Sequence, residues 1–444
     1  MATTGATTGM PDAGQVDTRV GRYRWVICGL LFAATAINYV DRQMIGVLKP
    51  TISAELGWNE TTYADIVFWF QVAYAIGYLS FGKIVDALGA RIGFSIAFVI
   101  WTLGHTLCGF IAGPFKLFGT MISPAMQFNG ARFVLGVGES GNFPAGLKAV
   151  SEWFPAKERA FATGLFNAGS NVGAIVTPLI VPAITLAYGW RMAFISTGAF
   201  SLIWLVAWIA IYRRPREQPR VSATELAYIE SDPADPPQKI GWLKLLGYRE
   251  TWAFALGKFL IDPIWWLFLF WTPDFLAKTY HLDLQSFGPP LVAIYLISDI
   301  GSIAGGWSSS RLMKRGYSAN VARKLTMLVC AFLVMPIVFA QYATSVWLAV
   351  GIVGLATAAH QAFSANLYTI PSDMFPRGAV GSVIGIGGTV GAIGGMGMAK
   401  FTGYILQTTG SYTLIFAVAG SVYLIAIGVV HLLSPRLARV DVPV

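Results

Sequence analysis

Arg132 to Arg159 reads RFVLGVGESGNFPAGLKAVSEWFPAKER, an apolar run interrupted by an arginine and a glutamate seven positions apart. On a helix, Arg132 and Glu139 share a face with about 10 Å of rise between them. An ionisable side chain at bilayer depth costs roughly 2.5 to 3.5 kcal/mol even on lenient scales, so such groups face a bundle interior or a wet cavity. The pair therefore marks a functional site. The plainer reading is a structural ion pair locking two helices together.

The rest of the chain supports a membrane setting. Its 444 residues are 55% hydrophobic and 12% charged, with mean hydropathy +0.60, unlike an ordinary soluble composition. Apolar runs of about 20 residues, each long enough to cross a 30 Å hydrocarbon core, recur twelve times between Trp25 and Val430. The polar start is read as a tail (1–24) and not as a cleaved signal, because no short apolar stretch with a small-residue cleavage site precedes the first span. Cys28, Cys108 and Cys330 fall in three different spans without paired spacing, which predicts helix packing and neither a disulfide framework nor a metal site.

The net charge of +9 encodes topology. Basic residues crowd alternate loops: Arg19, Arg22 and Arg24 before span 1; Lys83 and Arg91 after span 2; Lys148, Lys157 and Arg159 after span 4. Seven more, including Lys239, lie in the middle loop, and Arg311, Lys314, Arg315, Arg323 and Lys324 follow span 8. The intervening loops hold little beyond Lys49, Lys116, Arg191 and Lys278. By the positive-inside rule both termini and the middle loop are cytoplasmic. No nucleic-acid partner is called for.

Span 1 carries Tyr39, Asp41 and Arg42. Neighbours on a helix point about 100° apart, so Asp41 and Arg42 look to different partners, which Arg132 or Glu139 could supply. Span 2 carries Gln71, Tyr74 and Tyr78 and ends in GKIVDALGAR, a tight turn with Asp86 and Arg91. The matching place after span 8, GGWSSSRLMKRG with Arg311, repeats the small-residue turn and basic tail. The chain is thus a tandem of two six-span halves, 25–212 and 251–433, joined by a linker over 213–250 and followed by a tail over 434–444. Span 5 offers Asn167, Ser170 and Asn171 among small residues, which suits close helix approach. In span 7, Lys258 and Asp262 sit at i and i+4, a second candidate charge pair. Trp265 and Trp266 lie deeper, and Trp271 is expected as an interfacial anchor. Span 10 has a polar stripe of His360, Gln361, Ser364, Asn366 and Thr369, and span 11 is glycine-dense. A lone buried histidine is more often a satisfied hydrogen-bonding group than a metal ligand. The Asn59-Glu60-Thr61 sequon is read as chance.

Together NYVDRQ, the GVGES...FPAGLKAVSEWFPAKER block, FLIDPIWW and AHQA resemble the anion:cation symporter family of the major facilitator superfamily, most of all its bacterial hexuronate transporters. The resemblance runs nearly end to end. It implies an all-α integral membrane protein of twelve transmembrane helices in two pseudo-symmetric bundles, alternating access, and proton-driven uptake of galacturonate or glucuronate. It places proton coupling on Asp41 and Glu139, the substrate-carboxylate arginine on Arg42, an arginine assisting deprotonation on Arg132, and a substrate-contacting tyrosine on Tyr74. Ser170 stands where related aldonate carriers have glutamine, Gly388 near their span 11 asparagine, and Ser310 at the usual turn aspartate.

The expected activity is symport of a sugar acid by a monomer in the inner (cytoplasmic) membrane, without cofactor or metal. Tyr39, Tyr74, Ser170, Asn171, Trp265, Trp266, His360, Gln361 and Asn366 are the expected substrate contacts beside Arg42. Asp86, Arg91 and Arg311 are the expected gating turns. Symport of an aldonate, aldarate or aromatic carboxylate is the alternative within transport. A sensor would need a signalling domain, and an enzyme would need a nucleophile with its base or a metal cluster. Neither is found in the sequence.

Overall fold

The computed structural model describes residues 20–232 and 242–440; Arg19, Lys239, most of the N-terminal tail and the last four residues lie outside them. Among the described residues there are fourteen α-helices and one small hairpin. They are α1 (Tyr23–Leu56), α2 (Glu60–Gly109), α3 (Pro124–Glu139), α4 (Asn142–Trp153), α5 (Ala156–Tyr188), α6 (Trp190–Ile211), α7 (Ala223–Ile229) and α8 (Trp242–Leu245). After these come α9 (Arg249–Tyr280), α10 (Gly288–Lys314), α11 (Ala319–Val334), α12 (Val346–Met374), α13 (Arg377–Thr409) and α14 (Thr413–Leu433). Strands β1 (Phe115–Leu117) and β2 (Thr120–Ile122) pair antiparallel between α2 and α3.

Among the described residues, ten helices are long and apolar enough to cross a membrane. One of them, α2, has 50 residues and would reach about 75 Å if straight, far more than a bilayer core. It bends at Gly89, whose φ of 79° is the left-handed conformation that glycine adopts without strain, so α2 supplies two passes. Another pass is split at Ser140–Gly141 into α3 and α4. These two features reconcile ten long helices with the twelve apolar runs.

The packing is reciprocal between halves. Within them, α1 lies on α5 and α9 on α13; across them, α2 lies on α13 and α5 on α10. Exchanging α2 with α10 and α5 with α13 leaves that cross-half pattern unchanged, as a pseudo-twofold axis requires. Glycines set the close crossings: a Cβ at Gly138 would stand 2.3 Å from the Trp101 nitrogen, and one at Gly104 equally close to the Leu135 nitrogen. In the linker, α7 docks under the first turn of α1, where Arg24 bonds both Glu158 (2.9 Å) and buried Glu225 (3.3 Å).

Several local expectations change. Trp271 is only 1% exposed and packs edge-on against Tyr63 at 5.4 Å, so it is an interior residue and not an interfacial anchor. Lys49 is not in a loop, because α1 continues eight residues beyond Leu48 and buries it. Asn59 of the sequon caps α2, where its side chain accepts from the Thr62 amide at 2.8 Å, so the residue is there for helix initiation.

Candidate functional site

Arg42 is the centre of the molecule. It is 5% exposed, and its Nε donates to Glu139 Oε2 at 2.7 Å. Its Nη2 donates to Asn38 Oδ1 and to Tyr74 Oη, both at 3.0 Å. Tyr39 and Tyr74 present their ring faces to the guanidinium at 4.9 Å, and Trp266 of the other half does so at 5.2 Å. A guanidinium held by one carboxylate, one hydroxyl and three aromatic faces is an anion-binding group with its own internal counter-ion. Glu139 is fully buried, and its Oε1 has no hydrogen-bond partner among the described residues.

Arg132 plays a different part. Its Nη1 and Nη2 donate to the backbone carbonyls of Asp41 (3.3 Å) and Arg42 (3.1 Å), while its guanidinium lies over Phe70 at 4.6 Å. It therefore grips the segment of α1 that carries both charged residues. Asp41 turns away from Arg42: Trp101 Nε1 donates to its Oδ2 at 3.0 Å, and His105 Nε2 stands 3.2 Å from its Oδ1. Sequence reading missed Trp101 and His105. Their i, i+4 spacing inside an apolar span was the only signal, and nothing in it named Asp41 as the partner.

The other half supplies a second charged element. Lys258 Nζ pairs with Asp262 at 2.7 Å and donates to the Tyr368 hydroxyl. His360 stacks on Trp265 at 5.2 Å, with its Nδ1 2.6 Å from the Tyr423 hydroxyl. Asn366 Nδ2 donates to the backbone oxygens of Gly305 (3.1 Å) and Ala362 (2.9 Å), which ties α12 to α10. Ser170 Oγ donates to the Asn167 carbonyl at 2.7 Å and lies 3.3 Å from Asn171 Oδ1; Asn171 and Gln361 are partly buried. At the turns, Asp86 is 3.8 Å from Lys148, Arg91 donates to the Ile209 carbonyl, and Arg311 lies over Trp307 at 5.3 Å. Among the described residues no cluster of His, Cys, Asp and Glu is placed to hold a metal.

Among the described residues the salt bridges between the halves gather at one end. Lys49 pairs with Asp274 of the other half at 2.8 Å and with Glu60 at 2.6 Å; Lys278 pairs with both acids, and Tyr412 donates to Asp274 at 2.6 Å. Nearby, Asp65 pairs with Lys400, Gln43 bonds Tyr295, and Tyr63 donates to the Phe270 carbonyl at 2.8 Å. Gly46 permits the approach, since a Cβ there would stand 2.9 Å from the Leu269 carbonyl oxygen. Among the described residues every salt bridge between the halves lies here, at the end opposite the linker.

Residues 31–399 match the Major Facilitator Superfamily. The chain belongs to that superfamily. This major facilitator is a transporter, not an enzyme. It is 32% identical over 402 residues to a hexuronate transporter of Escherichia coli K12, covering 89% of this chain and 90% of that one. It is 33% identical over 322 residues to a galacturonate transporter of Dickeya chrysanthemi, covering 70% of this chain and 89% of that one. In fold it is similar to the inward open xylose transporter from E. coli (TM-score 0.69, 13% identity, 93% of this chain and 97% of that one). It is equally similar to an inward-facing, occupied bacterial homologue of the human lysosomal transporter Spinster (TM-score 0.70, 16% identity, 94% and 98%).

Proposed function

We propose that this carrier imports a hexuronate, galacturonate or glucuronate, together with protons. The observation that carries the reading is the Arg42–Glu139 pair, set among tyrosine hydroxyls and aromatic faces. A permanently charged guanidinium suits a sugar carboxylate, and the aromatic faces suit the ring. Glu139 and the cargo compete for one cation. A proton on Glu139 releases Arg42 to the cargo; loss of that proton restores the pair and expels the cargo. Arg132 keeps the Asp41–Arg42 segment of α1 in register through the exchange, and Asp41, held by Trp101 and beside His105, is a second place for a proton.

The substrates for which the two relatives are named support the uronate class. The basic loops support an orientation with the linker in the cytoplasm. The clasped end then faces outward, and the fold is held in its inward-facing state. The carrier works as a monomer in the inner membrane.

The test is uptake of labelled galacturonate into vesicles of the purified protein under an inward proton gradient, for wild type and Glu139→Gln. Concentrative uptake by wild type, with only exchange by the variant, is the expected result. A wild type indifferent to galacturonate and glucuronate sinks the substrate class; a variant that concentrates normally sinks the proton site.

A further inference from the structure

Lys258, Asp262 and Trp266 recur every four residues along α9, so they form one stripe on one face of that helix. At the top of the stripe Trp266 lies against Arg42. Asp262 is one turn below, and Lys258 one turn further, about 12 Å of helix rise in all. The stripe does not face lipid. Lys258 and Trp266 are only 4% and 8% exposed, Trp266 packs edge-on against Tyr74 of the other half at 5.8 Å, and on α13 a Cβ at Gly388, one turn before Gly391, would stand 3.5 Å from the Tyr78 ring; Tyr368 accepts from Lys258. Yet Tyr368 is 40% exposed, so the Lys258 end borders open space. Gly391 of α13 leaves room for the carboxylate: a Cβ there would stand 2.4 Å from Asp262 Oδ2.

Arg42 and Lys258 are therefore two cations at opposite ends of this stripe, and each is covered by a carboxylate. The coverings differ. Glu139 reaches Arg42 across helices from α3, where a rearrangement can separate the two. Asp262 sits on the same helical face as Lys258 at i+4 and travels with it through any rigid-body motion.

We propose that Asp262 sets the charge class of the cargo: by holding Lys258 neutral as a pair, it makes the wall remote from Arg42 accept hydroxyls and reject a second carboxylate. This rests on the uronate reading and deepens it. A uronate has one carboxylate, for Arg42, and its remaining groups meet an uncharged pair. An aldarate of the same carbon skeleton brings a second carboxylate against Asp262, a like-charge encounter of the kind that enforces specificity by repulsion.

The experiment measures initial uptake of galacturonate and galactarate, which differ by that one carboxylate, in wild type, Asp262→Asn, Asp262→Ser and the double variant Lys258→Gln/Asp262→Asn. Removing the acid alone leaves Lys258 bare, and the galactarate-to-galacturonate ratio rises by about tenfold, or roughly 1.4 kcal/mol of discrimination. The double variant loses that gain. Asp262→Ser, smaller and uncharged, repeats the result should the asparagine protein fold poorly. An unchanged ratio in both single variants, or a gain that persists without Lys258, overturns the inference and leaves uronate transport standing. If wild type ignores galacturonate, the uronate reading fails separately. The same ratio is then read with galactonate and galactarate, which also differ by one carboxylate.

Discussion

Arg42 and Glu139 meet at 2.7 Å in the middle of the bundle, one from α1 and one from the break between α3 and α4. The pair is buried on both sides, so its charges screen each other and little else does. Removing one partner of such a pair strands the other. Arg42→Lys keeps the charge but not the planar fork, and uptake is expected to fall at least about tenfold, with KM rising more than kcat falls. Wild-type KM in the lysine variant would contradict the role of Arg42.

The clasp around Lys49 predicts a shift in resting conformation. Lys49→Ala leaves Asp274 and Glu60 facing each other with only Lys278 between them. Breaking a buried pair costs about 3 to 5 kcal/mol, and here the cost falls on the state that is shut at the clasped end. Single cysteines introduced near Gly46 should then label from outside with an impermeant reagent many-fold faster than in the Lys49-intact protein. Equal labelling would mean the clasp does not hold that end shut.

Gly138 tests how Asp41 is positioned. Any side chain there collides with the Trp101 backbone and pushes the second leg of α2 from α3. Gly138→Val is expected to lower the melting temperature by several degrees and to detach the Trp101 indole from Asp41, changing its fluorescence. A variant with native melting and emission would show that the α2–α3 crossing has room for a side chain at Gly138.

Arg24 holds the linker. Its loss uncovers Glu225, which is 1% exposed, and frees α7 from the start of α1. Arg24→Ala should make the linker near Arg220 a faster site for limited trypsin digestion. Wild-type digestion kinetics would place the hold elsewhere.

Much of this was legible in the sequence because charge inside an apolar run has few places to go. Asp41, Arg42, Arg132 and Glu139 stood out for that reason, and the divergent headings of Asp41 and Arg42 followed from helix geometry alone. Trp101 and His105 did not stand out, since an indole and an imidazole are at home in apolar spans and only the packing of the second leg of α2 beside α1 brings them to Asp41. Lys49 and Trp271 were assigned to the membrane boundary because apolar runs end there. The contact between halves buries both, and a linear pattern carries no record of a contact between residues more than 200 positions apart. Asn366 carried the residue type of a ligand contact; its amide nitrogen bridges α12 and α10, while its Oδ1 has no hydrogen-bond partner among the described residues.

The internal counter-ion of Arg42 has an electrical consequence. In the proposed exchange a cargo carboxylate replaces the glutamate and the glutamate takes a proton, so the site would hold the same net charge loaded as empty. Neither direction of the swing then carries current, and membrane voltage, worth about 2.3 kcal/mol per charge per 100 mV, has no purchase on a cycle of one proton per uronate. Any steady current recorded during uptake would count further protons directly, and Asp41, seated apart from Arg42, is the group to which the first of them would be traced.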